Sequence, residues 1–263
     1  MSFDLNSITS EARIRAPRIV LLGVEKIGKS TFAAGADGAI FLPIKGEEGI
    51  DEIPVPQVPT CNSAADVMGW LCTFGRDEHP HQTVVIDSTS TLEPIIHREL
   101  CEAAGGVTSI NEGALKFGVG TDRANDIWRQ ITDVLDALRS CKNMTSILIG
   151  HVKVKRFDDP TGESYDQWVW DIHQKAASLL YRWADCILFC NTKVVVTHEK
   201  LGFHPDNVKK TGREIRPGAR FLYTQKRPSH PGGGRGAYGR LQYELPLGWD
   251  HFQNAVATAM AAQ

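Results

Sequence analysis

Between Arg18 and Thr31 the chain reads Arg-Ile-Val-Leu-Leu-Gly-Val-Glu-Lys-Ile-Gly-Lys-Ser-Thr, and no other stretch limits its fold so tightly. The apolar run Ile19–Leu22 has the composition of a buried strand. It ends in Gly23-x-x-x-x-Gly28-Lys29-Ser30, and Thr31 to Ala34 reads as the start of a helix. A glycine-bearing loop between strand and helix is a phosphate cradle. Its glycines let the backbone wrap an anion without a Cβ in the way. Its N–H groups and the positive end of the helix then face the phosphates. Lys29 is placed to reach the β and γ phosphates, and the Ser30 hydroxyl to ligate Mg²⁺. This assigns Gly23, Val24, Glu25, Lys26, Ile27, Gly28, Lys29, Ser30 and Thr31 to nucleotide binding, with ATP and Mg²⁺ as the implied cofactors.

The rest of the chain supplies the matching architecture. Ala39–Ile44, Thr83–Asp87, Ser146–His151 and Cys186–Cys190 read as buried strands. Helices are expected over about 64–73 (capped by Ser63), 92–103, from Thr121 or Asp122 to about 141, and 174–183. Strands alternating with helices predict an α/β fold with a mostly parallel central sheet flanked by helices. Val194–Val196 and Phe221–Thr224 follow without intervening helices, which predicts antiparallel strands at the C-terminal edge. Residues 105–120 and 229–239 read as flexible loops, 153–164 as a basic loop or hairpin, and 198–218 as an exposed excursion. The expected domain plan is a flexible leader over 1–17, an ATPase core over 18–247 and a helical tail over 248–263.

Ligands of such sheets bind beyond the carboxyl ends of the strands. Asp87 closes a strand there and is placed to hold Mg²⁺ with Ser30. Glu47 and Glu48 follow the second strand, and either one suits the orientation or deprotonation of an attacking water. His151 ends the fourth strand, where a polar side chain can register the γ-phosphate; the alternative is a structural histidine. Lys226, Arg227, Arg235 and Arg240 are candidates for a cation that stabilises transition-state charge across a subunit interface, and Arg240 is also assigned to nucleotide binding. Lys153, Lys155 and Arg156, with Lys209, Lys210, Arg213 and Arg216, offer positive charge to a phosphate backbone. Trp168 and Trp170 either stack on bases or form one core-facing side of a strand.

Composition narrows the class of protein. With 263 residues and 42% hydrophobic content the chain can bury a large core. The net charge of −2 gives no global attraction for nucleic acid, so any contact rests on local basic surface. No apolar run approaches the roughly 20 residues of a membrane span, and the first residues lack a signal-peptide pattern, so no membrane partner is expected and the location is cytoplasmic. The 6 cysteines are scattered without Cys-x-x-Cys spacing, which predicts buried free thiols rather than a metal site.

Taken in order, the phosphate loop, Glu47-Glu48-Gly49, Thr83–Asp87, Ser146–His151 and the ending Thr224…Gly239-Arg240…Leu245-Pro246 resemble the phage RecA-like ATPases of the Sak single-strand-annealing group, over roughly residues 18–247. The resemblance implies a RecA-like P-loop NTPase that hydrolyses ATP, binds single-stranded DNA and assists recombination or annealing. It also implies a homo-oligomer in the host cytoplasm, with a single-strand-binding protein as a further partner. DNA would pass the loops after the Asp87 and His151 strands, about 104–120 and 152–170. His151 stands where many relatives carry glutamine. A P-loop nucleotide kinase and a nucleotide-gated binding protein with little turnover are the alternative readings.

Overall fold

The computed structural model describes residues 15–47, 49–160, 162–200 and 208–262. The chain runs β1 (Arg18–Gly23), α1 (Lys29–Ala34), β2 (Ala39–Pro43), α2 (Ala64–Arg76), β3 (Thr83–Asp87), α3 (Thr89–Ala103), α4 (Val119–Lys142), β4 (Thr145–Phe157) and β5 (Tyr165–Trp170). It continues with α5 (Gln174–Trp183), β6 (Cys186–Thr192), β7 (Val194–Lys200), β8 (Val208–Glu214), β9 (Arg220–Tyr223), β10 (Gly233–Gly234), β11 (Glu244–Pro246) and α6 (Trp249–Ala261). The main sheet has the order β11-β9-β6-β1-β4-β3-β2. β6, β1, β4, β3 and β2 are parallel, whereas β9 and β11 are antiparallel at the edge. The expected α/β class, with its antiparallel C-terminal edge, is therefore what the chain forms.

β1 lies at the centre because its sequence suits burial on both faces. Ile19, Val20, Leu21 and Leu22 are each 0% exposed, as a parallel strand between two helical layers requires. Alternation splits them. Val20 and Leu22 join a cluster with Leu71 of α2, Leu92 of α3, Trp128 of α4 and Leu180 of α5. Ile19 and Leu21 join Phe32 of α1 and Trp249 and Phe252 of α6. The Phe32 ring meets Trp249 and Phe252 edge-on at 5.4 and 5.9 Å. Four helices thus cover one face and two cover the other, leaving the C-terminal ends of the parallel strands as an open rim.

Several boundaries differ from the expectation. α3 starts at Thr89 rather than Leu92, because Ser88 caps it by accepting from Thr91 N. α4 starts at Val119, after Gly118 in the left-handed region. β4 outruns its sheet: beyond His151 it turns out as a hairpin with β5, pairing Val152 with Trp170 through to Phe157 with Tyr165. Trp170 is buried and Trp168 half-buried, both packed on the core, as the core-facing alternative expects. The excursion near 198–218 contains a second hairpin, β7–β8; residues 201–207 of it, like 1–14 of the leader, lie outside the described residues. The 229–239 stretch is not a loose loop. His230 is buried and stacked on Phe189 at 4.8 Å, and Gly233 and Gly234 pair with β6.

At the opposite end from the rim, charged side chains lock β1 to its neighbours. Arg18 donates to Asp185 through Nε at 3.1 Å and Nη2 at 2.8 Å, and its Nη1 reaches Asp136 of α4 at 3.2 Å. Arg139 adds a 3.0 Å contact to Asp185. Burial alone would raise the Asp185 carboxyl, but the Arg18 bonds hold it below the ordinary aspartate value of 3.8. Its contribution to stability is therefore complete above that value and is lost as pH falls further. Asp185→Ala should lower the unfolding free energy by about 3 kcal/mol at neutral pH, since it removes the carboxylate from the partly buried Arg139 and leaves Arg18 only Asp136. Urea unfolding measures this, and the gap from the parent should close in acid.

Candidate phosphate-binding site

The loop between β1 and α1 is shaped by its neighbours. A β-carbon on Gly23 would lie 2.5 Å from the Cys190 carbonyl oxygen, so only glycine lets β1 end beside β6. Lys26 and Gly28 take φ of 56° and 106°, which curls the chain back over itself. Ile27 is 5% exposed and anchors the loop beside Phe32, while Glu25 and Lys26 face solvent. Val24 is half-buried against the same cluster.

Lys29 is 6% exposed. Its ammonium donates to the carbonyls of Gly23 at 3.1 Å and Val24 at 2.9 Å, and sits 3.5 Å from His151 Nδ1. Burial lowers its pKa, with partial compensation from Cys190, Asp87 and Glu47. Ser30 Oγ donates to Asp87 Oδ2 at 2.6 Å. Asp87 is buried at the end of β3, and burial raises its pKa.

Glu47 gathers its side-chain bonds on a single oxygen. Its Oε1 accepts from Ser88 Oγ at 2.6 Å and Thr91 Oγ1 at 3.0 Å, and lies 2.9 Å from His151 Nε2. An ammonium can only donate, so Nδ1 of His151 accepts from Lys29 and Nε2 carries the proton given to Glu47. The backbone N of His151 in turn donates to Ser90 Oγ at 3.0 Å. Burial pulls the Glu47 carboxyl up, but the bonds from His151, Ser88 and Thr91 outweigh it and bring it to about 2. Glu47 is therefore ionised across the physiological range.

These groups open onto one cavity of about 640 Å³, lined among others by Lys29, Ser30, Thr31, Glu47, Asp87 and His151. The structure thus brings together residues assigned from sequence on four separate strands. Glu48 lies outside the described residues. Arg240 is elsewhere: its Nη2 donates to the Ala259 carbonyl on α6 at 2.9 Å. Arg235 donates to the Arg182 carbonyl, and Arg227 stacks over Tyr243 at 4.2 Å. None of the three lines this cavity. The arginine that does is Arg220, which sequence reasoning passed over. Its signal was topological: β9 runs antiparallel to β6, so its first residue arrives at the rim. The hydroxyl run Ser88–Thr91, just before and within the first turn of α3, supplies two of the donors to Glu47.

The donor set suits the expected cofactors. Ser30 and Asp87 present hard oxygen ligands side by side, as Mg²⁺ prefers, and the buried Lys29 ammonium lines the same chamber. Among the described residues no cluster of three or more His, Cys, Asp or Glu could hold another metal. All six cysteines are free, but only Cys61, Cys101, Cys186 and Cys190 are buried; Cys72 and Cys141 are exposed on amphipathic helices. Among the described residues no helix is long and apolar enough to cross a membrane.

His151→Ala should move the Glu47 carboxyl up from about 2 toward the ordinary 4.5, because it removes the strongest of the bonds that favour the ionised form. An NMR titration of the side-chain carboxyl reads the shift directly. An unmoved value would mean that Ser88 and Thr91 hold the carboxylate without the histidine.

Residues 15–236 match a family described as an AAA domain. A crystal structure of the RadB recombinase aligns with 13% identity over 80% of this chain and 81% of that one, at a TM-score of 0.40. That likeness is distant. No curated protein matches the sequence.

Proposed function

As a member of the AAA-domain family, with the match spanning residues 15–236, this chain is, we propose, a Mg²⁺-dependent ATPase that works on single-stranded DNA. The observation that carries the enzymatic part is the convergence of Lys29, the Ser30–Asp87 pair and Glu47 on one cavity. Bound Mg²⁺–ATP supplies the phosphoryl group and the charge that neutralises it. Lys29 exchanges two neutral carbonyl acceptors for phosphate oxygens, which are the stronger partners of an ammonium. Ser30 and Asp87 would hold the metal.

Glu47 positions water. With a carboxyl near 2 it is a weak base, so its part is to accept a hydrogen bond from the attacking water and fix its direction. All three of its own bonds fall on Oε1, and Oε2 takes none of them. His151 ties this carboxylate to Lys29, so loss of a γ-phosphate is felt at both.

The DNA-binding part rests on what rises from the same rim. Both hairpins, β4–β5 and β7–β8, leave from C-terminal strand ends beside the cavity. Lys155 and Arg156 are exposed on the first, and Lys209, Lys210 and Arg213 lie on β8. Lys153 at the hairpin's foot pairs at 2.8 Å with Asp171, itself part of the cavity wall. The loop before α4 presents Phe117 fully to solvent, next to Lys116. Lys175, paired with Asp122 at 2.9 Å, places this loop near the start of α5 and so near the first hairpin. An exposed aromatic flanked by cations is what stacking on unpaired bases requires. The order of motifs extends the reading to a homo-oligomer acting in strand annealing or recombination, with a single-strand-binding protein as a further candidate partner.

Steady-state turnover tests the reading. The rate should depend on Mg²⁺ and rise with single-stranded DNA. Glu47→Gln should cost about 100-fold in kcat while nucleotide binding persists, and Asp87→Asn should raise the Mg²⁺ requirement. A rate indifferent to DNA would remove the nucleic-acid half of the proposal.

Lys155→Ala and Phe117→Ala should separate electrostatic from stacking contacts. The first should flatten the salt dependence of DNA binding by about one phosphate contact. The second should weaken binding by roughly 1–3 kcal/mol. Fluorescence anisotropy over a salt series measures both.

A further inference from the structure

We propose that Arg220 is a phosphate-binding residue of its own subunit's site, closing over the loop from the side opposite Glu47. The inference rests on the nucleotide-binding reading above and adds a residue to it. In the sheet order, β4, β3 and β2 lie on one flank of β1 and bring His151, Asp87 and the approach to Glu47. β6 and β9 lie on the other flank, and Arg220 opens β9 opposite Thr192, the last residue of β6. A polyphosphate lying along the loop is thus bracketed by carboxylates on one side and by Arg220 on the other.

The contact with the loop is close. A β-carbon on Gly28 would fall 2.9 Å from Arg220 Nη1 and 4.0 Å from its Cδ. The Arg220 side chain therefore lies close against the one residue of the loop that has φ of 106°. Arg220 is exposed, and its side chain makes no hydrogen bond or ion pair with any described residue. A guanidinium with no partner among the described residues, lining the same cavity as the Lys29 ammonium, is poorly placed in the absence of an anion and well placed in its presence. Its planar fork can take two phosphate oxygens at once.

Arg220 also borders a second, smaller cavity. This one, of about 340 Å³, is lined by Thr31, Phe32, Leu247, Trp249 and Asp250, and it shares Gly28, Thr31 and Arg220 with the first. Whereas Glu47 lines only the first, Arg220 thus borders both cavities, on the β9 side of the loop. Its contacts go to phosphates common to ATP and ADP, and its loss falls on KM rather than kcat.

Calorimetric titration of ADP and ATP, with turnover on the same samples, tests this. Arg220→Ala should weaken ADP and ATP in parallel by about tenfold to a hundredfold, and Arg220→Lys should recover part of the loss. Unchanged ADP affinity in Arg220→Ala, while the parent binds nucleotide and Lys29→Ala does not, overturns this inference and leaves the nucleotide site standing. A parent that binds no nucleotide overturns both. Mixing Arg220→Ala with Lys29→Ala distinguishes the subunit served: turnover should not exceed the sum of the separate samples. Recovery on mixing would show Arg220 serving a neighbour's site and would contradict the assignment.

Discussion

A buried ammonium at the end of the central strand sets the terms for everything around it. Lys29 cannot stay charged under 6% exposure without acceptors. The fold supplies two carbonyls from its own loop and an imidazole nitrogen from β4. Those acceptors are in place because β1 is held in register with β4, Gly23 opposite His151. The register in turn depends on apolar burial along Ile19–Leu22 and on the Arg18–Asp185 lock at the far end. Neutral acceptors satisfy an ammonium less well than anionic ones do, so this arrangement is stable yet receptive to phosphate.

The same histidine couples the cation to an anion. His151 accepts from Lys29 and donates to Glu47, whose Oε1 is already shared with Ser88 and Thr91. A carboxylate gripped at one oxygen has little freedom at the other, and that is what a water-positioning group needs. From this cluster the connections run outward: Ser90 under the His151 backbone, and Asp171 to Lys153 at the hairpin's foot. The geometry therefore links the cavity to the element proposed to meet DNA through directly bonded groups.

Much of this was legible in the sequence, for identifiable reasons. The phosphate loop, Asp87 and the strand ends announce themselves because local spacing fixes their placement: strand, turn, helix. The antiparallel edge followed from strands without room for crossover helices. Arg220 was not legible, because its placement depends on the direction of β9 relative to β6, a non-local pairing. Trp168 and Trp170 were ambiguous for the reverse reason. Period-two spacing gives a shared face but not whether that face meets core or solvent, and packing against Phe189 and Tyr181 decided it. The 229–239 stretch misled because its glycines signalled looseness, whereas His230 drives it into an aromatic stack with Phe189, Tyr223 and Tyr243.

The most direct test is a crystal structure with Mg²⁺ and a non-hydrolysable ATP analogue. The account predicts phosphate oxygens within hydrogen-bonding distance of Lys29 Nζ, with that ammonium withdrawn from the carbonyls of Gly23 and Val24. An analogue bound at some other surface, with Lys29 still on those two carbonyls at saturating ligand, would contradict it.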